Sequence, residues 1–263
     1  MDNNIAQRVL EGQVAVVTGS TQGIGAGIAT AFAAHGAQVV IHGLPDAPAE
    51  KTLNAIGETG SKALLVRGNL KDEAHCRKLI RKTVEHFGRL DILVNNAGIY
   101  HRSNIENTTI ELWDDMFAIN LRAPFILCQE AVKDMKERGS GCIINIGSVN
   151  AYVGLPKLLP YSASKGGLMT FTRNLAHYLT RYRIRVNQIN PGWVLTEGEH
   201  YMEAVEEGRG ENWLEDALET RPFGRMLLPE DIARAALFLA SSELITGAVL
   251  DYEQVPVGSM PEL

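Results

Sequence analysis

Seven short apolar runs, separated by longer segments of helical periodicity, constrain the fold of this chain more than any other feature. The runs are VAVVT at 14–18, QVVIH at 38–42, KALLV at 62–66, DILVN at 91–95, CIINI at 142–146, IRVNQI at 184–189 and GAVLD at 247–251. Amphipathic segments such as 24–36 and 230–243 lie between them, the second preceded by Pro229 at a typical helix start. Strands rich in Val, Ile and Leu that alternate with helices form parallel sheets buried on both faces. The sequence therefore predicts an α/β fold, a doubly wound parallel sheet of about seven strands with helices on both faces.

The pattern is typical of one domain over residues 1–263 with one irregular segment. The chain has no internal repeat and no Pro/Gly/Ser-rich linker, and open α/β sheets reach this size as one domain. Residues 1–11 are polar apart from one hydrophobic pair, and we expect an N-terminal tail there. Residues 193–220 are acidic and break the strand and helix rhythm directly after Pro191-Gly192. Such an insertion beside a ligand crevice indicates a substrate lid, with an acidic surface excursion as the alternative.

Charge and cysteine content limit the partners and the compartment. The formal charge is -6 and Lys and Arg occur in scattered pairs, so nucleic acid and anionic membranes are poor partners. Cys76, Cys128 and Cys142 are odd in number and lack metal-binding spacing, so we expect a reducing compartment and no metal site. Neither a signal peptide nor an apolar run of ~18 residues is present. The sequence predicts a cytoplasmic protein.

A glycine-rich turn follows the first strand directly. Gly19, Gly23 and Gly25 are spaced G-x-x-x-G-x-G in TGSTQGIGAG, where the strand leads into a helix that begins near Gly23. Glycine lets the backbone approach a pyrophosphate, and a helix N-terminus directs free N–H groups at phosphates. Tight-turn glycine is the alternative for such a pattern in isolation. Its position after a buried strand favours nucleotide binding.

The segment 148–165 contains a serine, a tyrosine and a lysine suited to proton transfer. Tyr161 and Lys165 are four residues apart, which places both side chains on one face of a helix, where the ammonium lowers the phenol pKa. A tyrosine of this kind exchanges a proton with an alcohol or carbonyl oxygen. Ser148 ends the fifth strand at the sheet edge where ligands bind. An accidental pair on a solvated helix is the alternative.

Taken in order, these motifs resemble the short-chain dehydrogenase/reductase family. The matching residues run over 12–251 and are Gly19, Gly23, Gly25, Asn95-Asn96-Ala97-Gly98, Asn120, Ser148, Tyr161, Lys165 and Pro191-Gly192. An ordered set of this length is far more specific than any one motif. The resemblance implies a Rossmann-type fold, a nicotinamide cofactor and commonly a homotetramer built from helix pairs and a C-terminal strand.

The resemblance also implies roles for individual residues. Tyr161 would be the general acid/base, Ser148 would bind the substrate oxygen, and Lys165 would lower the Tyr161 pKa and hold the nicotinamide ribose. Asn120 would organise a water that leads protons from Lys165 to solvent. The implied cofactor set comprises Gly19, Ser20, Gln22, Gly23, Ile24, Gly25, Gly43, Leu44, Asn69, Leu70, Asn95, Ala97, Tyr161, Lys165, Pro191, Gly192, Val194 and Thr196.

The choice between NAD and NADP depends on the end of the second strand. Gly43 occupies the position of the usual acidic residue, Leu44 follows where NADP enzymes often have arginine, and Ser20 and Gln22 are uncharged. With no cation to hold a 2′-phosphate, the sequence favours NAD, with Asp46 as a late carboxylate and dual use as the alternative. Asn69 replaces the family's aspartate near adenine, and its carbonyl remains an acceptor.

The substrate must be recognised by residues outside the family pattern. Besides Ser148 and Tyr161, the candidates are Asn150, His101 and Trp193. With the lid carboxylates Glu197 and Glu199 they form the kind of donor and acceptor set that a small sugar or polyol requires. Solvated lid surface is the alternative for the two glutamates, and an ordinary loop histidine for His101.

The C-terminal segment also departs from the family pattern. Glu253 and Gln254 stand where most relatives have Asp-Gly of an Asp-Gly-Gly turn, and residues 256–263 are a candidate cover for an active site. The predicted reaction oxidises a secondary or hemiacetal hydroxyl with NAD(P). The alternatives are an NADPH-dependent 3-oxoacyl thioester reductase and a catalytically idle nucleotide-binding scaffold.

Overall fold

The seven predicted strands form one parallel sheet. The computed structural model describes residues 8–258, and within them the sheet has the order β3-β2-β1-β4-β5-β6-β7. Every neighbouring pair is parallel. The strands are β1 Val14–Val17, β2 Gln38–Gly43, β3 Ala63–Arg67, β4 Ile92–Asn95, β5 Gly141–Ile146, β6 Ile184–Pro191 and β7 Val249–Tyr252. The prediction of a doubly wound parallel sheet is confirmed.

Helices cover both faces of the sheet, as the continuous apolar strands require. Among residues 8–258 they are α1 Gly23–Ala34, α2 Glu50–Glu58, α3 Glu73–Phe87, α4 Ile110–Phe117, α5 Ala123–Arg138, α6 Leu159–Leu179, α7 Glu197–Tyr201, α8 Trp213–Glu219 and α9 Pro229–Ser241. Ala15 and Val17 of β1 pack with α1 and α9, whereas Val16 packs with α3, α5 and α6. Successive strand side chains point to opposite faces, and fully burying one Val or Leu contributes about 1.5–3 kcal/mol. Both helix layers are therefore needed.

The strand order creates a crevice at the carboxyl ends of β1 and β4. From β1 the chain winds outward through β2 to β3, and it then returns to β4 on the other side of β1. Loops that leave two neighbouring strands in opposite directions separate and leave room for a ligand. The glycine-rich turn after β1 and residues 95–98 after β4 flank this crevice.

The helix predicted over about 110–137 is interrupted. A π-helical turn, Ala118–Arg122, joins α4 to α5. Pro124 lacks the N–H that would donate to the carbonyl of Asn120 four residues earlier, so the regular helical ladder loses a bond there. The side chain of Asn120 within this turn is buried. The irregular turn thus coincides with a predicted site residue.

The predicted N-terminal tail ends too late in the chain. Residues 1–7 lie outside the described residues. Leu10, inside the predicted tail, is fully buried, and its N–H donates to the carbonyl of His35 at 2.9 Å. The boundary at residue 11 is wrong because the buried side chain of Leu10 anchors this stretch to the core, although its neighbour Val9 is exposed.

Residues 193–220 fold into two short helices and a turn of their own. The π-helical turn Met202–Glu206 follows α7, and α8 contains the fully buried Trp213. Trp213 packs with Ala217 and Met226, beside Trp193. This small apolar cluster holds the segment together beside the crevice. Its movement as a lid stays a prediction.

Candidate active site

A cavity of about 740 Å³ opens at the carboxyl edge of the sheet. Small-molecule sites have volumes of about 300–1,000 Å³. The predicted site residues that line it are Ile24, Ser148, Asn150, Tyr161, Lys165, Pro191, Gly192, Trp193, Val194 and Thr196. The other predicted cofactor residues are not in its wall; they follow β1 to β4 along the same edge and are Gly19, Ser20, Gln22, Gly23, Gly25, Gly43, Leu44, Asn69, Leu70, Asn95 and Ala97.

Tyr161, Lys165 and Ser148 meet in this cavity. Tyr161 is half-buried and shares a hydrogen bond with Ser148. Lys165 lies on the same side of α6, with its Nζ 5.7 Å from the Tyr161 ring centroid. That ammonium donates to the carbonyl of Ile146 at 2.8 Å. The helical spacing and the strand end therefore bring the three side chains together as the sequence predicts.

Asn120 lies behind Lys165 rather than in the cavity wall. Its Oδ1 accepts from the N–H of Ile99 at 2.9 Å, and its Nδ2 donates to Ser164 Oγ at 3.1 Å. A Cβ added at Gly98 would lie 3.2 Å from Asn120 Oδ1 and 3.5 Å from Lys165 Nζ. The two polar side chains thus converge beside Gly98, where the absent Cβ leaves space for a small polar group.

Burial dominates the proton affinities in the cavity. It lowers the pKa of Lys165 to about 8, because the charged form loses its water. It raises the pKa of Tyr161 to about 12, and the Ser148 hydrogen bond opposes this rise. The Lys165 ammonium donates to the Ile146 carbonyl in this structure, and the expected lowering of the Tyr161 pKa by Lys165 stays a prediction. The phenol is protonated at neutral pH.

The glycine-rich turn has the geometry of a phosphate cradle. A Cβ on Gly25 would collide with the Gly19 carbonyl and lie 2.5 Å from Asn96 Nδ2, so only glycine fits. Asn96 Nδ2 donates to the carbonyls of Thr18 at 2.8 Å and Gly19 at 3.0 Å, which fixes the turn. The first N–H groups of α1 face the crevice without helical partners. These residues fit a dinucleotide pyrophosphate, and Asn96 has a supporting part that the motif did not reveal.

Two predicted cofactor residues turn their side chains inward. Ser20 is fully buried; its hydroxyl donates to the Val17 carbonyl at 2.6 Å and accepts from the His42 N–H at 3.0 Å. Asn95 is buried, and its Nδ2 donates to Asn145 Oδ1 at 2.8 Å, tying β4 to β5. Neither side chain reaches a nucleotide in the crevice, because each satisfies the backbone or sheet around it. The sheet-stabilising part of the Asn95 prediction agrees with this contact.

Two other predicted cofactor residues, Asn69 and Thr196, use a side-chain oxygen to accept a hydrogen bond from the nearby backbone. Asn69 Oδ1 accepts from the Lys71 N–H at 2.9 Å, which occupies part of the carbonyl expected to meet adenine. Thr196 Oγ1 accepts from the Glu199 N–H at 3.0 Å and caps α7. The hydroxyl proton of Thr196 remains available at the cavity.

The end of β2 contains a cation that the local sequence did not indicate. A Cβ at Gly43 would lie 2.5 Å from Thr21 Cγ2, so an acidic residue has no room there. Arg67, at the end of β3 and paired in register with Gly43, directs its Nη1 into the loop after β2. Nη1 donates to the carbonyls of Leu44, Pro45 and Ala47. A cation that the local sequence did not reveal thus lies beside the end of β2, and the choice between NAD and NADP stays a prediction.

The predicted substrate residues divide into two groups. Asn150 and Trp193 line the cavity with Ser148 and Tyr161. His101 is exposed and is not in the cavity wall, whereas the next residue, Arg102, is. The loop after β4 therefore does not bring His101 to the site, because consecutive residues in an extended stretch point in opposite directions.

The two lid glutamates have different environments. Glu199 is largely buried in the cavity wall, where its Oε1 accepts from Trp193 Nε1 at 2.7 Å and its carboxylate meets the Tyr100 hydroxyl. Burial raises its pKa. Glu197 is exposed and pairs with Lys51 on the surface. Of the two, only Glu199 lines the cavity, whereas Glu197 lies on the solvated surface.

A charge cluster at the cavity was not anticipated from the sequence. Glu203 is buried between Arg102 and Arg209, with Arg209 Nη1 at 2.9 Å. Glu207 accepts from Lys157 Nζ at 2.8 Å and lies 3.3 Å from Arg102 Nη1. These pairs join the loop after β4 and the loop before α6 to residues 193–220. They hold the segment over the cavity in this structure.

The sheet, the phosphate cradle and the Ser-Tyr-Lys cluster define a nicotinamide-dependent oxidoreductase of alcohols. The family model for short chain dehydrogenases matches residues 13–207. An uncharacterized oxidoreductase of Thermotoga maritima is 40% identical over 91% of this chain and 93% of its own. D-beta-hydroxybutyrate dehydrogenase of Cupriavidus necator is 36% identical over 92% and 96%. The solved levodione reductase superposes with a TM-score of 0.87 at 29% identity, covering 93% of this chain and 97% of that one.

The chain belongs to the short-chain dehydrogenase family and is an NAD(P)-dependent oxidoreductase. The relatives' names do not agree on a substrate. No helix within residues 8–258 is long and apolar enough to cross a bilayer. Cys76, Cys128 and Cys142 are buried free thiols.

Proposed function

We propose that the enzyme oxidises a secondary or hemiacetal hydroxyl of a small sugar or polyol, and that it can run in reverse. The observation that carries the proposal is that Tyr161 and Ser148 share one cavity with the hydrogen-bonding groups of Asn150, Tyr100 and Glu199. A site built to bind hydroxyl groups rejects analogues that lack them, since its own polar groups are then left unpaired.

The proposed proton path begins at Tyr161. A nicotinamide held in this crevice would accept or give the hydride. Ser148 holds the substrate oxygen through its hydroxyl. In the reductive direction the Tyr161 phenol donates its proton to the carbonyl oxygen; in the oxidative direction Tyr161 first gives its own proton toward Lys165 and solvent, and the phenolate then takes the hydroxyl proton. The pKa of Lys165 is about 8, so its amine gains and loses a proton readily near neutral pH. The same side chain would hold the nicotinamide ribose. Asn120 positions a water beside Gly98, which returns the proton to solvent.

Turnover of a panel of sugars and polyols with NAD and then NADP, followed by the absorbance of the reduced nicotinamide, tests this proposal. We expect polyhydroxylated substrates to react and simple secondary alcohols of equal size to react far more slowly. Turnover confined to 3-oxoacyl thioesters with NADPH would favour the thioester reductase instead. Nucleotide binding without any turnover would favour a catalytically idle scaffold.

Cofactor choice is a separate expectation, and it centres on Arg67. NAD remains the proposed cofactor, because no arginine follows β2. Arg67 nevertheless provides a guanidinium whose Nη2 has no hydrogen bond to the described residues 8–258, which supports use of NADP as well. Arg67→Gln should lower kcat/KM for NADP about tenfold, the loss of one charge-assisted hydrogen bond, and change kcat/KM for NAD less than threefold. Steady-state kinetics with both nucleotides checks this.

The matched control is Arg81→Gln, the same change at an exposed position of α3. Equal losses for NAD and NADP in Arg67→Gln would mean that Arg67 only supports the loop after β2. In that case the NADP use is not governed by this residue.

We also propose that the enzyme is a homotetramer. Exposed apolar residues on its helices support this, among them Phe125 on α5, 48% exposed, and Phe238 on α9, 53% exposed. Sedimentation velocity gives the state directly. The cytoplasmic location stays a prediction.

A further inference from the structure

One cavity cation, Arg221, has donor groups that the protein does not use. Its side chain is 15% exposed and lines the cavity. The Nε donates to Thr220 Oγ1 at 3.1 Å, and the guanidinium carbon lies 5.4 Å from the Trp193 ring centroid. Within residues 8–258, neither Nη atom has a hydrogen bond; Nη1 forms an ion pair with Glu253 Oε2 at 3.6 Å. The N–H fork of a guanidinium is left open toward the cavity.

Glu253 orients Arg221 without using its fork. Glu253 Oε2 accepts from the Trp193 N–H at 3.1 Å, and Oε1 accepts from the Gln254 N–H at 2.6 Å. Both carboxylate oxygens are thus already hydrogen-bonded to backbone. Gln254 also accepts from the Phe223 N–H at 3.0 Å, which fixes the turn that follows Arg221. The departure of the C-terminal segment from the family pattern therefore builds the frame in which Arg221 is held.

The other cations of the cavity have partners of their own. Arg102 and Arg209 pair with Glu203, Lys157 pairs with Glu207, and Lys165 donates to a backbone carbonyl. A half-desolvated guanidinium with unpaired N–H groups is costly unless an acceptor arrives with the ligand. The planar fork matches a carboxylate through two parallel hydrogen bonds. The stacked Trp193 ring limits the guanidinium to one orientation.

We propose that Arg221 is the subsite for a carboxylate of the substrate, so that the enzyme acts on a polyhydroxy carboxylic acid, a sugar acid, rather than on a neutral sugar. This rests on the proposed function, since it places the hydroxyl to be oxidised at Tyr161 and the carboxylate at Arg221 in the same cavity. One guanidinium, ion-paired with Glu253 at 3.6 Å but with no hydrogen bond from either Nη atom within residues 8–258, matches the two oxygens of a single carboxylate; a phosphate dianion would call for a second cation.

The test compares acids with matched neutral substrates. Gluconate is paired with glucose and galacturonate with galactose, in the wild type, Arg221→Gln, Arg221→Lys and the exposed control Arg81→Gln. We expect the wild type and Arg81→Gln to prefer the acids, and the acid-to-neutral ratio of kcat/KM to fall about 30-fold in Arg221→Gln, mainly through KM. Arg221→Lys keeps the charge without the fork and should lose less. If thermal melting shows that Arg221→Gln is unfolded, Arg221→Lys replaces it in the comparison with the wild type.

The outcomes separate this inference from the proposed function. Equal or better turnover of the neutral sugars by the wild type overturns the Arg221 subsite and leaves the proposed function standing. Preference for a sugar phosphate also overturns it. If the wild type turns over only 3-hydroxybutyrate, and Arg221→Gln loses that turnover, the carboxylate subsite is supported but the proposal of a polyhydroxy substrate is overturned. If no compound reacts, calorimetric titration with gluconate decides: binding that weakens in Arg221→Gln supports the subsite, and absent or unchanged binding overturns it.

Discussion

Tyr161→Phe should lower kcat about 1,000-fold and leave nicotinamide nucleotide affinity within threefold. The change removes the hydroxyl that exchanges a proton with the substrate, and general acid/base groups of this kind contribute about 10²–10⁴-fold. The phenyl ring keeps its place in the half-buried site, so the fold and the nucleotide cradle should remain as they are. Steady-state turnover of the best substrate from the panel, with nucleotide binding measured by fluorescence titration, checks both parts.

The control for this substitution is Tyr178→Phe on the same helix. Tyr178 is 46% exposed and stacks with Lys136 on the outer surface, so the same loss of a hydroxyl should leave kcat within twofold. A Tyr161→Phe enzyme that keeps a tenth or more of the wild-type kcat would contradict the assignment of the general acid/base. A loss of nucleotide affinity equal to the loss of kcat would instead indicate a misfolded site.

The fold follows from the sequence because its strongest signals are local. A run such as VAVV is buried on both faces wherever it forms a strand, so Val14–Val17 could be located without knowing its neighbours. The same local reasoning fails at the π-helical turn, where Pro124 removes a single hydrogen bond and helical periodicity changes by one residue. It also fails at Leu10, because a single buried apolar residue creates no periodic pattern that would predict its burial.

The site was predictable where family motifs fix it and unpredictable where tertiary contacts build it. Tyr161 and Lys165 are related by helical spacing, and Ser148 by the end of a strand. Arg67 reaches the loop after β2 only through the register of β2 against β3. Arg221 depends on contacts from Trp193 and the segment after β7, far apart in the chain. No spacing rule connects such residues.

The role of His42 could not be predicted from the sequence either, because it depends on contacts with the segments that follow β1 and β3. It precedes Gly43, the last residue of β2, and is buried. Its Nδ1 accepts from the Gly19 N–H at 3.3 Å, and its Nε2 lies 3.2 Å from the Gly68 carbonyl, to which it donates. These two bonds require the neutral ring with its proton on Nε2. Burial, with the nearby His75, lowers the pKa of His42 to about 4.

The unfolding free energy should therefore fall by about 3 kcal/mol through His42 as the pH falls from 7 to 4. The folded-state pKa is below the unfolded value of 6.5, so between these values the unfolded chain binds the extra proton and acid favours unfolding. Above pH 6.5 both states are neutral, and this stability is fully present. Protonation also removes the acceptor for Gly19, so nucleotide affinity should weaken in the same pH window.

Urea unfolding of wild type, His42→Gln and His86→Gln at a series of pH values isolates this contribution. Glutamine cannot titrate, and its amide can accept from Gly19 and donate to Gly68, so His42→Gln should lose the acid-dependent part that the wild type shows. His86 is exposed on α3, and its replacement should leave the pH dependence as it is. The distant carboxylates contribute equally to all three proteins and cancel in the comparison. His75, whose ring centroid lies 5.4 Å from that of His42, interacts with it, so this interaction is part of the measured difference. If His42→Gln falls as steeply with acid as the wild type, the buried neutral His42 is not what holds the glycine-rich turn.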